Sequence, residues 1–179
     1  MAVMRKRVSI LEETMQKLTD EHMKNEKEMN KKWGELANKM GTIVEDIVAP
    51  NIPTIAAAYF GQKTLGFFAY RVRKEHPEEP GRIREFDIIA IGGKYVFLSE
   101  TKSTPRQEYL KAFADNHREV FDYFPEYKEK TLVPIFSSLS LSREAIDYLT
   151  KHGIYAMAMK GDTMDLLNFE EVNNRQTAQ

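Results

Sequence analysis

The sequence predicts an α/β domain built around a mixed β-sheet, and three observations lead there. Residues 64–73, 88–91, 96–99, 131–136, 154–159 and 164–169 are short runs rich in β-branched and aromatic residues, as strands require. Amphipathic stretches with helix start and stop signals fall between them. The resulting order is helix, three strands, helix, strand, helix and strands, which calls for one sheet joined by both hairpins and helical crossovers.

Composition sets the limits. The 179 residues suffice for one ordinary domain and an accessory helix, not for two independent cores. With 42% hydrophobic residues, including 10 Phe and 8 Tyr, a substantial core is expected, while 30% charged residues argue against a membrane protein. The net charge of -1 does not advertise a nucleic-acid partner, although a local basic patch can bind phosphate without a basic total. The absence of cysteine excludes disulfides, thiolate chemistry and zinc–thiolate sites. His22, His76, His117 and His152 are scattered and form no HExxH spacing. Without a long apolar segment or signal-peptide pattern, no membrane partner is expected and a cytoplasmic location is the default.

The first element spans residues 5–49 as one long helix or two consecutive ones. Val8, Met15, His22, Met29 and Leu36 recur every seventh residue, with Leu11, Leu18, Asn25 and Lys32 at the companion positions. The first half reads as a coiled-coil seam and the polar second half weakens it. Residues 1–32 are therefore expected to be a helical extension serving as a homodimer stalk, with packing over the chain's own domain as the alternative. From Trp33 the pattern changes. Trp33, Leu36, Met40, Ile43, Val44 and Ile47 form a helical stripe with Glu45 and Asp46 between its members, and Pro50 and Pro53 end it.

Residues 52–60 form a short helix closed by Gly61, followed by the strand at 64–73 and a charged link, KEHPEEPGR. A central hairpin comes next. Residues 106–123 then read as one amphipathic helix bearing Leu110, Phe113, Val120 and Phe121. After the strand at 131–136, Ser142 caps a helix over 143–151, Gly153 ends it, and two terminal strands follow. The folded domain is assigned to 33–169, and 170–179 to a flexible tail.

The hairpin carries the chemistry. With Gly93 and Lys94 in a two-residue turn, Gly92 pairs with Tyr95 and Ile91 with Val96, and the same register sets Asp87 opposite Glu100. Opposed Cβ atoms approach to about 5.5 Å. Two carboxylates at that separation repel unless a proton or cation compensates, and magnesium suits an all-oxygen pair. Period-two alternation turns Lys102 to the same face as Glu100, within reach of a water or of charge growing on a phosphate, while Thr101 points elsewhere.

Asp87 before one apolar strand and Glu100–Thr101–Lys102 closing the next resemble the PD-(D/E)XK, or restriction-endonuclease-like, nuclease superfamily. The resemblance covers about residues 33–169, and it departs from the family pattern where Phe86 precedes Asp87 in place of proline. It implies a mixed-sheet core flanked by helices and Mg²⁺-dependent hydrolysis of phosphodiester bonds, Mn²⁺ being able to substitute. It also implies that the protein is an endonuclease on nucleic acid, DNA by family analogy. Asp87 and Glu100 are then metal ligands and Lys102 is catalytic. Glu45, on the preceding helix, assists coordination or orients water, with Asp46 as its neighbouring rival.

Ser103, Thr104, Arg106 and Gln107 are candidate phosphate contacts, or else a simple helix cap. Arg71, Arg73, Lys74, Arg82 and Arg84 flank the acidic centre as guides for a nucleic-acid backbone. The competing reading is a noncatalytic nucleic-acid- or protein-binding scaffold assembled through the N-terminal helix.

Overall fold

The computed structural model describes the backbone of residues 2–177, and their side chains apart from residues 2–10, 12, 26, 27, 30, 33–38, 41, 176 and 177. The side chains of Val8, Trp33 and Leu36, assigned above to the seam and the stripe, lie outside the described residues. The chain forms two compact units, residues 1–40 and 41–179.

The first unit is helical throughout its described length, belonging to α1 (Ala2–Val48). Leu11, Met15, Leu18, Met23 and Met29 are exposed on it. Local i,i+4 bonds support the exposed surface, among them Gln16 Nε2 donating to Asp20 at 3.1 Å.

The second unit opens with the end of α1, passes through a 3-10 turn at Ala49–Asn51 and continues into α2 (Ile52–Phe60). Gly61 ends α2 at φ +67, a left-handed conformation that glycine adopts without penalty. The strands are β1 (Phe67–Glu75), β2 (Ile83–Gly92), β3 (Tyr95–Thr101), β4 (Thr131–Ser137), β5 (Tyr155–Lys160) and β6 (Thr163–Leu166). They lie in the sheet in sequence order. The β1–β2, β2–β3 and β5–β6 pairs are antiparallel, and the β3–β4 and β4–β5 pairs are parallel. The two parallel junctions are spanned by α3 (Gln107–Asn116) with α4 (Val120–Tyr123), and by α5 (Arg143–Lys151). The sheet is mixed and flanked by helices on both faces.

Two apolar layers result. Val44, Val48, Ile52 and Val172 pack with Ile88, Ala90 and Ile135 on one face. Leu110, Phe113 and Leu149 pack with Ile89, Leu98 and Phe136 on the other. Because β2 is covered on both sides, Ile88 and Ile89 are both fully buried, which explains its continuous apolar run. Each such side chain stabilises the fold by about 1.5–3 kcal/mol relative to exposure.

Several boundaries differ from expectation. The strand expected at 64–73 occupies Phe67–Glu75, because the ladder continues through Lys74↔Arg84 and Glu75↔Ile83. Backbone pairing is indifferent to charge, and charged side chains are at home on an edge strand. For the same reason β2 begins at Ile83, and Asp87 lies within the strand instead of opening it.

The helix expected over 106–123 is broken by a 3-10 turn at His117–Glu119. The His117 ring Nδ1 lies 3.1 Å from the carbonyl of Phe113 and 3.0 Å from that of Ala114, so it donates its proton to oxygens that a continuing helix would use. Burial holds the His117 imidazole below its usual range, consistent with a neutral ring.

The tail expected to be flexible from 170 is helical as α6 (Phe169–Thr177), with Val172 fully buried. Asn168 ties its start to the sheet, accepting from Ala156 N at 2.7 Å and donating to the Ile154 carbonyl at 3.0 Å. The Ser142 cap forms as expected, accepting from Ala145 N at 3.2 Å. Among the described residues no helix is long and apolar enough to cross a membrane.

Candidate active site

The hairpin positions the acids. Gly92 pairs with Tyr95 and Ile91 with Val96, so the two-residue connection is Gly93–Lys94. Gly93 has φ +50, the positive-φ conformation that a two-residue hairpin turn asks of glycine. The ladder is regular to Ile88↔Ser99, and its next step sets Asp87 opposite Glu100. At that step a side chain takes over from the backbone: Asp87 Oδ2 accepts the Thr101 N–H at 2.7 Å.

Past the end of β3, Lys102 N donates to the Ser137 carbonyl at 3.0 Å and holds the chain against β4. This directs the Lys102 ammonium back to the acids. Its Nζ lies 2.5 Å from Glu100 Oε1 and 3.7 Å from Asp87 Oδ2. The Tyr109 ring centroid is 6.0 Å from the same nitrogen. The Thr101 side chain turns away and is buried, its hydroxyl without a hydrogen-bond partner.

Asp87 is the most enclosed of the three, its side chain 15% exposed against 29% for Glu100 and 31% for Lys102. Burial, followed by the neighbouring charge of Glu100, pushes the Asp87 carboxyl up to about 6, against the opposing pull of Lys102 and the Thr101 N–H. Burial works to lower the Lys102 ammonium, but Glu100 and Asp87 together raise it above its usual range. The cluster thus holds more negative charge than one ammonium neutralises. That excess, with two carboxylates and a partly open face, fits magnesium, which takes one or two carboxylates and completes its shell with water.

Glu45 occupies a different setting. Its Oε2 receives Arg71 Nε at 2.6 Å, and Arg71 Nη2 bonds Asp46 Oδ1 at 2.7 Å and the Thr42 carbonyl at 3.0 Å. The expected ligand and its rival therefore share one guanidinium, and neither joins Asp87 and Glu100. Among the described residues, no three His, Cys, Asp or Glu side chains gather as a ready metal cluster.

Arg71 lies between the pairs Tyr70↔Ile88 and Val72↔Phe86, directly across from Asp87, at a step where the ladder is interrupted. Its φ of +54 costs an arginine about 1–2 kcal/mol and re-aims its side chain. No residue-type signal marks this conformation, which glycine would have announced.

Ser103 and Thr104 form the bend before α3, and the cap position is taken by Arg106 without a side-chain cap bond. The simple capping role is thus not adopted. Arg106 lies 3.6 Å from Glu108 in the first turn, and Gln107 is exposed there. Of the flanking basic residues, Arg84 meets Glu119, Arg82 meets Glu79 at 2.7 Å, and Lys74 meets Glu126 at 3.5 Å. Arg73 is exposed.

No family model and no curated protein matches the chain. Among solved structures it is similar to protein VC1899 from Vibrio cholerae, with 13% identity and a TM-score of 0.45 over 75% of this chain. The match spans about a third of that protein's length, 32%. It is also similar to the small subunit of the heterodimeric restriction endonuclease R.BspD6I, with 15% identity and a TM-score of 0.33, covering 68% of this chain and 69% of that one.

Proposed function

We propose that the protein is a metal-dependent phosphodiester hydrolase acting on nucleic acid, cleaving DNA internally. The observation that carries this reading is the convergence of Asp87, Glu100 and Lys102, brought together by the hairpin register and the β3–β4 junction. Asp87 and Glu100 would hold Mg²⁺ or Mn²⁺, and Glu45 would join them on parting from Arg71. When bound, the cation supplies Lewis acidity toward a phosphoryl oxygen and toward water.

The remaining work falls to the chain's own groups. The Thr101 N–H orients the Asp87 carboxylate. Lys102 stabilises charge developing on the phosphoryl oxygens or orients the attacking water, both within reach of an ammonium beside Glu100. Ser103, Thr104, Arg106 and Gln107 provide phosphate contacts at the start of α3. DNA is favoured over RNA by the family resemblance alone. The exposed Leu11, Met15 and Leu18 support a homodimer formed through the N-terminal helix.

Magnesium-dependent nicking of supercoiled plasmid tests the reading, with Glu100→Ala expected to lose nearly all activity; unchanged cleavage by that variant removes the mechanism. One observation favours a noncatalytic scaffold instead: Arg71 already neutralises Glu45 and Asp46, leaving two carboxylates at the centre. A scaffold would bind nucleic acid or a protein partner, take up no Mn²⁺ and leave plasmid intact.

A further inference from the structure

On the sheet face covered by α2 and α6, the start of β4 lies in a hollow. Thr131 and Val133 are small, and larger rings stand on the strands to either side, Tyr95 on β3 and Tyr155 on β5. Phe60 from α2 and Phe169 from α6 meet edge to face, ring centroids 5.6 Å apart, and wall a cavity of about 220 Å³. Leu132 also borders it, although its side chain packs in the opposite layer, so what it presents there is backbone. Thr131 N donates to the Lys94 carbonyl and so turns toward β3. The polar groups of Leu132 turn the other way, where β5 begins only at Tyr155, opposite Ile135. A backbone donor and acceptor thus border the cavity without a neighbouring strand.

Tyr155 borders the same cavity and is 2% exposed. Its hydroxyl has no hydrogen-bond partner among the described residues. Unlike the hydroxyls of Thr101 and Ser138, it is not sealed in, so its oxygen opens into the cavity. Burial, and after it the neighbouring Tyr95, push this phenol up to about 12, so it keeps its proton and offers a donor. A buried donor without a partner is costly unless an acceptor arrives. The hydroxyl of Tyr59, by contrast, is already given to Asp165. At the mouth, Lys94 is exposed, its Nζ 5.2 Å from the Tyr95 ring centroid, and it stands in no ion pair among the described residues.

We propose that this cavity binds a small planar heteroaromatic anion. Its ring lies against Phe60 and Phe169, its polar edge meets the Leu132 backbone and the Tyr155 hydroxyl, and its charge faces Lys94. The volume is below the roughly 300–1,000 Å³ of sites for drug-sized ligands, which limits the enclosed part to one or two rings. Such a ring comes either from a nucleotide, with its phosphate at the mouth, or from a heteroaromatic carboxylate. The site does not depend on the hydrolase reading. Tyr95 opens β3 on the α2 face, whereas Glu100, paired with Phe136, lies about 17 Å further along the strand on the other face.

The test is isothermal titration of the full-length protein in EDTA with uridine 5′-monophosphate and, separately, with orotate. Uridine and inorganic phosphate are the controls. At least one of the two anions is expected to bind at a single site, with both controls on the order of tenfold weaker or more. Lys94→Gln and Tyr155→Phe should each weaken that binding on the order of tenfold. Thr131→Trp fills the hollow from its exposed mouth and should abolish binding. Tyr155→Phe also removes a hydroxyl that lacks a partner, so its thermal midpoint without ligand should rise. That rise separates loss of a contact from loss of the fold.

Binding of the monophosphate alone upholds the site and makes the occupant a nucleotide; binding of orotate alone upholds it and makes the occupant a ring carboxylate. No binding of either anion overturns the site. Binding that survives both Lys94→Gln and Thr131→Trp lies elsewhere and overturns it too. So does inorganic phosphate binding as tightly as the nucleotide, which would reduce the site to a surface lysine.

Discussion

Arg71 stands directly across the β1–β2 ladder from Asp87, yet its guanidinium turns to Glu45 and Asp46 on α1. A cation thus already occupies the acids that the sequence offers as a third metal ligand. Arg71→Gln should release Glu45 and tighten Mn²⁺ binding several-fold in isothermal titration. Adding Glu45→Gln should cancel the gain. Equal affinities in all three proteins would mean that Glu45 takes no part in cation binding.

The pH dependence follows from Asp87. Its carboxyl titrates near 6 in the folded protein, above the ordinary value of 3.8. Between those values this carboxyl binds more protons in the folded than in the unfolded state, so its contribution to stability falls as pH rises from about 4 to about 6. Asp87→Asn keeps an acceptor for the Thr101 N–H and removes the charge. In urea melts without metal, the variant should be more stable at pH 7 by about 1–2 kcal/mol and flatter over that range. Mg²⁺ affinity of the unsubstituted protein should rise through the same interval, because the proton must leave before the cation binds. A metal-free stability difference between Asp87→Asn and the unsubstituted protein that does not widen from pH 4 to 6 would contradict this.

Lys102 separates chemistry from binding. Lys102→Met keeps the stem and removes the ammonium, so nucleic-acid affinity should hold while kcat falls about 10²–10³-fold. Single-turnover cleavage at saturating enzyme measures this directly. A defect confined to KM would make Lys102 a substrate-holding group instead.

Much of this geometry was legible before the fold was known, for a definite reason. The Gly93–Lys94 turn and the apolar runs on either side leave one register that buries both strands, and that register carries Asp87 to Glu100. The details that depend on single side chains were not legible. Nothing in residue type marks Arg71 for positive φ, and the interruption of the ladder at Asp87 goes with it. The helix break at His117 depends on a ring folding back onto two carbonyls, while the pattern of Leu110, Phe113 and Val120 continues through it. Among the described residues of the terminal helix only Val172 is fully buried, too little to form a periodic signal in a polar segment.

Assembly is tested on the N-terminal helix. Leu11 and Leu18 are seven residues apart, 63% and 59% exposed, and on one helix face with Met15. A second copy would cover this stripe, as the heptad spacing of its apolar positions allows. The compact unit from Gly41 contains Val44 and Val48 in its core. Leu11→Asp with Leu18→Asp places two charges in the seam and should halve the mass measured by light scattering, with the main thermal transition unchanged. Deleting residues 1–32 should give the same monomer. An unchanged mass in both proteins would locate self-association elsewhere, and a lowered transition in the double variant would mean that the helix stabilises its own domain.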